Sequence, residues 1–217
     1  MLDFSSEFSL LFADDALLVL DKPAGLLSVP GRGPEKQDSL SSRVQEQFPD
    51  ARVVHRLDMA TSGLMVMARG PIHQRTLNHA FAARTVHKTY IAVVDGLLYA
   101  PDSHWQEISM GIRVDWPNRP LRVIDDQHGK PSVTRWLVLQ HDASTCTSRV
   151  VLEPVTGRSH QLRVHMRAVG HAILGDPLYA TADVAANSTR LLLHANHLEL
   201  THPATNERLA FNSPVPF

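Results

Sequence analysis

A single cysteine, Cys146, in 217 residues leaves no partner for an internal disulfide and no cysteine cage for zinc. A secreted disulfide scaffold is therefore excluded. Long apolar runs are also missing; the longest match one strand, far short of the ~20 residues a membrane-crossing helix needs. The opening MLDFSSEFSL has neither a basic leader nor a continuous apolar stretch, so no signal peptide is read there. The expectation is a soluble, cytoplasmic protein with no membrane partner. There is no GxGxxG and no GxxxxGK[ST], which argues against dinucleotide and P-loop nucleotide cofactors. GxSxG and HExxH are absent as well. What remains is an ordinary globular composition, with 43% hydrophobic and 20% charged residues, which excludes disorder, collagen and coiled coil. The length suffices to bury a core without staples.

The net charge of −1 conceals an uneven distribution. Residues 1–50 carry 4 basic and 9 acidic side chains, whereas residues 51–100 carry 6 basic and 2 acidic. Between Asp50 and Asp95 the sole acid is Asp58, set among Arg52, Arg56, Arg69, Arg75, Arg84 and Lys88. Arginine outnumbers lysine 17 to 4, and the planar guanidinium suits bidentate contact with phosphate or carboxylate. A polyanionic ligand and a solvated basic face both fit this pattern.

Ala16–Asp21 reads as a short buried strand running into a loop punctuated by Pro23, Gly25, Pro30, Gly31, Gly33 and Pro34. Asp38 is the expected cap of a helix with Leu40, Val44 and Phe48 on one face, stopped by Pro49. Gly63–Ala68 reads as a strand and Pro71–Ala83 as a helix with proline in its first turn. Tyr90–Val94, Val133–Gln140, Val150–Glu153, Leu191–His194 and Leu198–Leu200 read as strands. Ser159, Leu162, Met166 and Val169, with Gly170 beyond, fit a short capped helix. Many strands with a few helices in irregular order predict an α+β fold with a mostly antiparallel sheet. No linker splits the chain, and a single catalytic-sized domain is expected.

Two segments carry chemistry. In Arg52–Ala68, His55, Arg56, Asp58, Thr61 and Ser62 lie on a loop feeding a strand, where functional groups tend to sit on rigid scaffolds. Asp58 reads there as a turn or salt-bridge residue or as a catalytic carboxylate. In Val155–Asp176, Arg163 and Arg167 fall at i, i+4, a mildly unfavourable pair unless an anion satisfies it. Asp58, an RNA backbone, or plain solvation are the alternatives. Thirteen histidines include a cluster at His160, His165 and His171, but the spacing is not that of a zinc site, so no metal is expected. Tyr90 alternates with Ala92 and Val94 on one strand face, as a core residue or a stacking platform.

His55-Arg56-Leu57-Asp58 followed by Thr61-Ser62-Gly63-Leu64 resembles the HRLDxxTSGL signature of the RluA family of pseudouridine synthases. Lys22-Pro23-Ala24-Gly25-Leu26 is similar to that family's KPxGL motif, and Lys88-Thr89-Tyr90 to its KxY strand. Thr156–His165 (TGRSHQLRVH) with Leu174-Gly175-Asp176 matches its TGRxHQLRxH…LGD block. Four motifs in order, from about Asp14 to the C-terminus, make a specific match. Asp115–Pro120 (DWPNRP) further resembles the family's dual-specificity member, which acts on tRNA and large-subunit rRNA.

The resemblance implies a pseudouridine synthase catalytic domain over 14–217, an N-terminal extension over 1–13, and no S4 RNA-binding domain ahead of it. It implies isomerisation of uridine to pseudouridine in structured RNA, at the first uridine of the tRNA anticodon loop and a hairpin uridine of 23S rRNA. The chemistry is redox-neutral, so no cofactor is expected. By the same match Asp58 attacks C1′ or abstracts a sugar proton, Arg163 keeps that carboxylate ionised, and Tyr90 stacks on the uracil. Arg56 fills the space vacated by the flipped base, and His55, Thr61, Leu162, Arg158 and His160 join it on the substrate side. A catalytically silent RNA-binding module on the same fold and a nucleoside hydrolase are the competing readings. Intact Asp58, Tyr90 and Arg163 favour the enzyme.

Overall fold

Strands with apolar residues at successive positions, covered on both faces, organise the first half of the chain. In the computed structural model, which describes residues 8–100 and 104–217, Ser9–Ala13 is β1, Leu17–Lys22 β2, Ala51–Val53 β3 and Ser62–Arg69 β4. β2 and β4 pair antiparallel from Leu17 opposite Ala68 to Lys22 opposite Gly63. Successive side chains point to opposite faces. Leu17, Val19, Leu64, Val66 and Ala68 share one cluster with Leu77, while Leu18, Leu20, Met65 and Met67 share another with Leu40 and Val44. Leu77 belongs to helix α2, Gly70–Ala82, and Leu40 and Val44 to helix α1, Leu40–Gln47. A helix over each face is why these strands read as continuous apolar runs.

The described chain forms two compact units, one of the residues up to His87 with Ala195–Val215, the other of Lys88–His194 with Pro216–Phe217. The first unit also holds β12, Arg208–Asn212, paired antiparallel with β11, Leu193–Thr201. In the second, β5 (His87–Asp95), β10 (Thr147–Pro154), β9 (Val133–Asp142) and β6 (Gln106–Ser109) are successive antiparallel neighbours. β7 (Ile112–Val114) and β8 (Arg122–Ile124) form a separate hairpin. Helix α3 is Gln161–Ala168, and a short α4 is Ala182–Ala186. The α+β class with antiparallel pairing is as expected from the sequence.

Several local expectations change. Ser39, not Asp38, caps α1: its side chain accepts from the Ser42 N–H at 3.2 Å, while Asp38 takes a bidentate bond from Arg43. Ser159 does not cap α3; His160 stands at that position in the left-handed region, φ 58°. At the other end of α3, Gly170 (φ 87°) closes a Schellman turn, with its N–H on Arg167 O and the His171 N–H on Met166 O. Leu191–His194 and Leu198–Leu200 are not two strands. Asn196 and His197 interrupt the apolar pattern, yet β11 runs through them, with Asn212 of β12 opposite His197 and the Ser213 N–H on Asn196 O. β1 falls inside the expected N-terminal extension, whose residues 1–7, most of the segment read for a signal peptide, lie outside the described residues. No helix among the described residues is long and apolar enough to cross a membrane.

Candidate active site

Asp58 sits on the loop between β3 and β4, and the KPxGL segment holds that loop by its backbone. Lys22, fully buried at the end of β2, donates from Nζ to Pro23 O and Leu26 O at 2.8 Å each, and to Met59 O at 3.1 Å. The Gly25 N–H reaches the same Met59 carbonyl at 2.8 Å. On the other side, Ser28 Oγ donates to Leu57 O at 2.7 Å and accepts from Leu57 N–H at 3.1 Å. Thr61, buried, turns its N–H onto Asp58 O at 3.1 Å. The residues on both sides of Asp58 are thus fixed through main-chain groups. An ammonium taken out of water needs such partners, because a buried charge without them is costly. The Asp58 side chain itself is half-buried.

Two further features set the exit of the loop. Gly63 has φ 111°, and a Cβ there would stand 2.3 Å from Ala195 O, so only glycine lets β4 approach β11 so closely. The His55 ring accepts the Val66 N–H on Nε2 at 2.9 Å, which places its proton on Nδ1, and it stacks on Phe81 of α2 with centroids 4.5 Å apart. His55 thereby anchors the loop to β4 and α2. Arg56 and Met59 are exposed. His55, Arg56, Asp58 and Thr61 therefore share one loop in the first unit.

Arg163, in the second unit, is held differently. Its guanidinium, 3% exposed, makes a bidentate pair with the fully buried Asp176, Nε to Oδ2 at 2.8 Å and Nη2 to Oδ1 at 2.7 Å. Asp176 Oδ1 also accepts the N–H groups of Leu178 and Tyr179 at 2.9 and 3.2 Å. The Tyr179 ring lies under Arg163 with the guanidinium carbon 5.1 Å from its centroid. The Tyr179 hydroxyl accepts the Arg122 N–H at 2.9 Å and meets His160 Nδ1 at 2.6 Å. Burial raises the Tyr179 pKa above its usual value. Solvated arginines at both 163 and 167 are ruled out: Arg163 is locked in the interior, whereas Arg167 is exposed.

The TGRxHQLRxH block builds the seat of this helix. Thr156 Oγ1 donates to Gln161 Oε1 at 2.7 Å and accepts from Val133 N–H at 2.8 Å. Gln161 Oε1 also takes the Arg158 N–H at 3.0 Å, and its Nε2 donates to Val133 O and Thr134 Oγ1. His165 bonds Thr134 Oγ1 through Nδ1 at 2.9 Å, and burial lowers its pKa. Leu162 is buried, and the Arg158 side chain is exposed. Tyr90, 8% exposed, stands on β5 opposite Leu152, and burial pulls the Lys88 ammonium two residues earlier below its usual pKa. Arg158, His160, Leu162 and Arg163 thus share one loop and helix, with Tyr90 on a strand of the same unit.

Lys22 and Asp176 lie within the KPxGL and LGD motifs, whose sequence alone shows no role for either. The signal for Asp176 was present: an acid in the same block as an arginine pair that requires an anion.

Residues 16–168 match the family model described as RNA pseudouridylate synthase. The chain is 46% identical over 208 residues to the dual-specificity RNA pseudouridine synthase RluA of Escherichia coli K12, covering 96% of this chain and 93% of that protein. It is 48% identical over 211 residues to the protein of the same name from Vibrio vulnificus, covering 96% and 83%. Among solved structures, Human RNA Pseudouridylate Synthase Domain Containing 1 superposes with a TM-score of 0.80 at 30% identity, over 97% of this chain and 84% of that one. The chain belongs to the RNA pseudouridylate synthase family, isomerases that convert uridine to pseudouridine in RNA.

Proposed function

We propose that this protein is a dual-specificity enzyme of the cytoplasm. Its substrates are the first uridine of the tRNA anticodon loop and a hairpin uridine of large-subunit 23S rRNA, and residues 14–217 are its catalytic domain. The observation that carries the reading is the Asp58 loop, a carboxylate within HRLDMATSGL whose flanking carbonyls at Leu57 and Met59 are pinned by Ser28, Lys22 and Gly25. The names of the relatives in Escherichia coli and Vibrio vulnificus support dual specificity.

In the reaction the N1–C1′ bond breaks, the uracil turns, and C5 bonds to C1′. The C5 proton leaves to water and N1 gains one, so nothing is oxidised. Asp58 engages the ribose, by attack on C1′ or by removing a sugar proton, and Tyr90 holds the detached base by its face. The motif match assigns Arg163 to keeping the Asp58 carboxylate ionised. Arg56, exposed beside Asp58, fills the gap left by a base flipped from its stack, an extrusion that costs a few kcal/mol and less in a loop. His55 and Thr61 fix the loop, while Arg158, His160 and Leu162 line the substrate side. No cofactor is required by this scheme. With a net charge of −1, phosphate attraction is local, from Arg52, Arg56, Arg75 and Arg84, all exposed.

The test uses anticodon and 23S stem-loops carrying tritium at uracil C5. Release of tritium to water with the base retained in the RNA is the expected result. Free uracil would identify a hydrolase, and binding without either product a silent RNA-binding module. Equal rates on a loop uridine and the same uridine in a continuous duplex would remove the hairpin preference.

A further inference from the structure

Three side chains with metal-ligating atoms converge where β11 carries His197 and Glu199. These two are separated by one residue, so they project from the same face of the strand. His87 opens β5, and one ligating atom from each of the three lies within 4.8 Å of the others. All three belong to the same compact unit. His87 and His197 meet edge-on, with centroids 5.9 Å apart.

The His197 ring is oriented. Its cross-strand partner on β12 is Asn212, whose Oδ1 accepts from Nδ1 at 2.8 Å. That bond places the ring proton on Nδ1 and leaves the lone pair on Nε2, the arrangement by which a ligating imidazole is usually held. Glu199 bonds Arg208 through Oε1. Arg208 is itself largely exposed, and a carboxylate that keeps this neighbour through one oxygen can offer the other to a cation.

We propose that His87, His197 and Glu199 bind one divalent transition-metal ion of the zinc class, at a site the isomerisation does not use. Two imidazoles and a carboxylate are a nitrogen and oxygen set that zinc accepts, with water at the fourth position. Magnesium and calcium prefer all-oxygen shells. Zinc bonds of about 2.0–2.1 Å put tetrahedral ligand atoms roughly 3.4 Å apart. The present spread therefore closes by small side-chain rotations. The ion would tie the first residue of β5 to β11. The sequence showed no ligand spacing for this, since His87 lies far from the other two along the chain.

The test is calorimetric titration of zinc, and separately magnesium, into tag-free protein stripped of metal by chelator. One zinc per chain is expected, with magnesium at least tenfold weaker. His197→Ala and Glu199→Gln should each weaken zinc by more than tenfold. Asn212→Leu, which removes only the orienting bond, should weaken it by roughly tenfold at unchanged stoichiometry. Cobalt should give the visible bands of a four-coordinate site, lost in His197→Ala. If circular dichroism shows His197→Ala to be misfolded, His87→Ala, exposed at a strand start, carries the same test. Zinc binding that is unchanged in His87→Ala and Glu199→Gln would overturn the proposal, as would magnesium binding as tightly as zinc. Tritium release from RNA should be equal before and after chelation. A loss restored by zinc but not by magnesium would place the ion in the reaction and overturn the assignment.

Discussion

The loop carrying Asp58 and the helix carrying Arg163 are made rigid by different means. Around Asp58, Lys22, Gly25, Ser28 and Thr61 all bond carbonyls or N–H groups of residues 57–59, and the side chain is half-buried. Around Arg163 the side chain itself is the thing fixed, by Asp176 at two points and by the Tyr179 ring. The loop is positioned through its main chain. The Arg163 guanidinium is instead enclosed and paired with a buried carboxylate. The first arrangement places its demand on backbone acceptors, the second on a matched ion pair whose halves depend on each other.

The sharpest test of this contrast is Asp58→Asn. Because the loop is held by its backbone, the nearly isosteric amide should leave the fold and RNA affinity intact while tritium release falls to background. Unfolding at a lower denaturant midpoint than wild type would mean that the carboxylate is also structural. Next in size, Arg163→Met should cost about 3–5 kcal/mol of stability by stranding Asp176, towards the lower end because Leu178 and Tyr179 still donate to it. Adding Asp176→Asn should restore part of that loss, and denaturant unfolding of all four proteins measures the coupling. Additive changes within about 0.5 kcal/mol would mean that the pair is not a unit.

Lys22→Met sharpens the other side. Removing the donor shared by Pro23, Leu26 and Met59 carbonyls should cost about 2 kcal/mol and loosen the loop. A misplacement of about 1 Å lowers turnover up to ~100-fold, so single-turnover tritium release should fall while RNA binding holds within a few fold. The smallest effect is a pH slope. Burial holds the His165 pKa below its usual value, so in the folded state the ring resists a proton that the unfolded chain accepts. Its contribution is fully present above about pH 6.5 and is lost as the pH falls from there towards the folded pKa. Denaturant midpoints between pH 7 and pH 5 should fall less steeply in His165→Gln than in wild type. An identical slope would remove His165 as the cause.

Much of the framework was legible because its signals are local. The β4 strand and the α2 helix with proline in its first turn were read within about a residue. Caps were less legible: Asp38 and Ser39 both suit the start of α1, and the choice fell to Ser39 because Asp38 was taken by Arg43. β11 reads as two pieces because Asn196 and His197 break its apolar pattern, while the fold pairs His197 with Asn212 of β12 and bonds Asn196 O to the Ser213 N–H.

The sequence by itself determined the family, through four motifs in order. It also determined the strand and helix segments whose periodicity lies within a few residues. Tertiary structure alone decided that Arg163 takes Asp176, 13 positions away, and that Lys22 holds a carbonyl 37 positions away. The physical reason is that a carbonyl acceptor is the same at every residue and leaves no mark in the sequence. The partner of a buried charge is likewise set by which groups the fold excludes from water together.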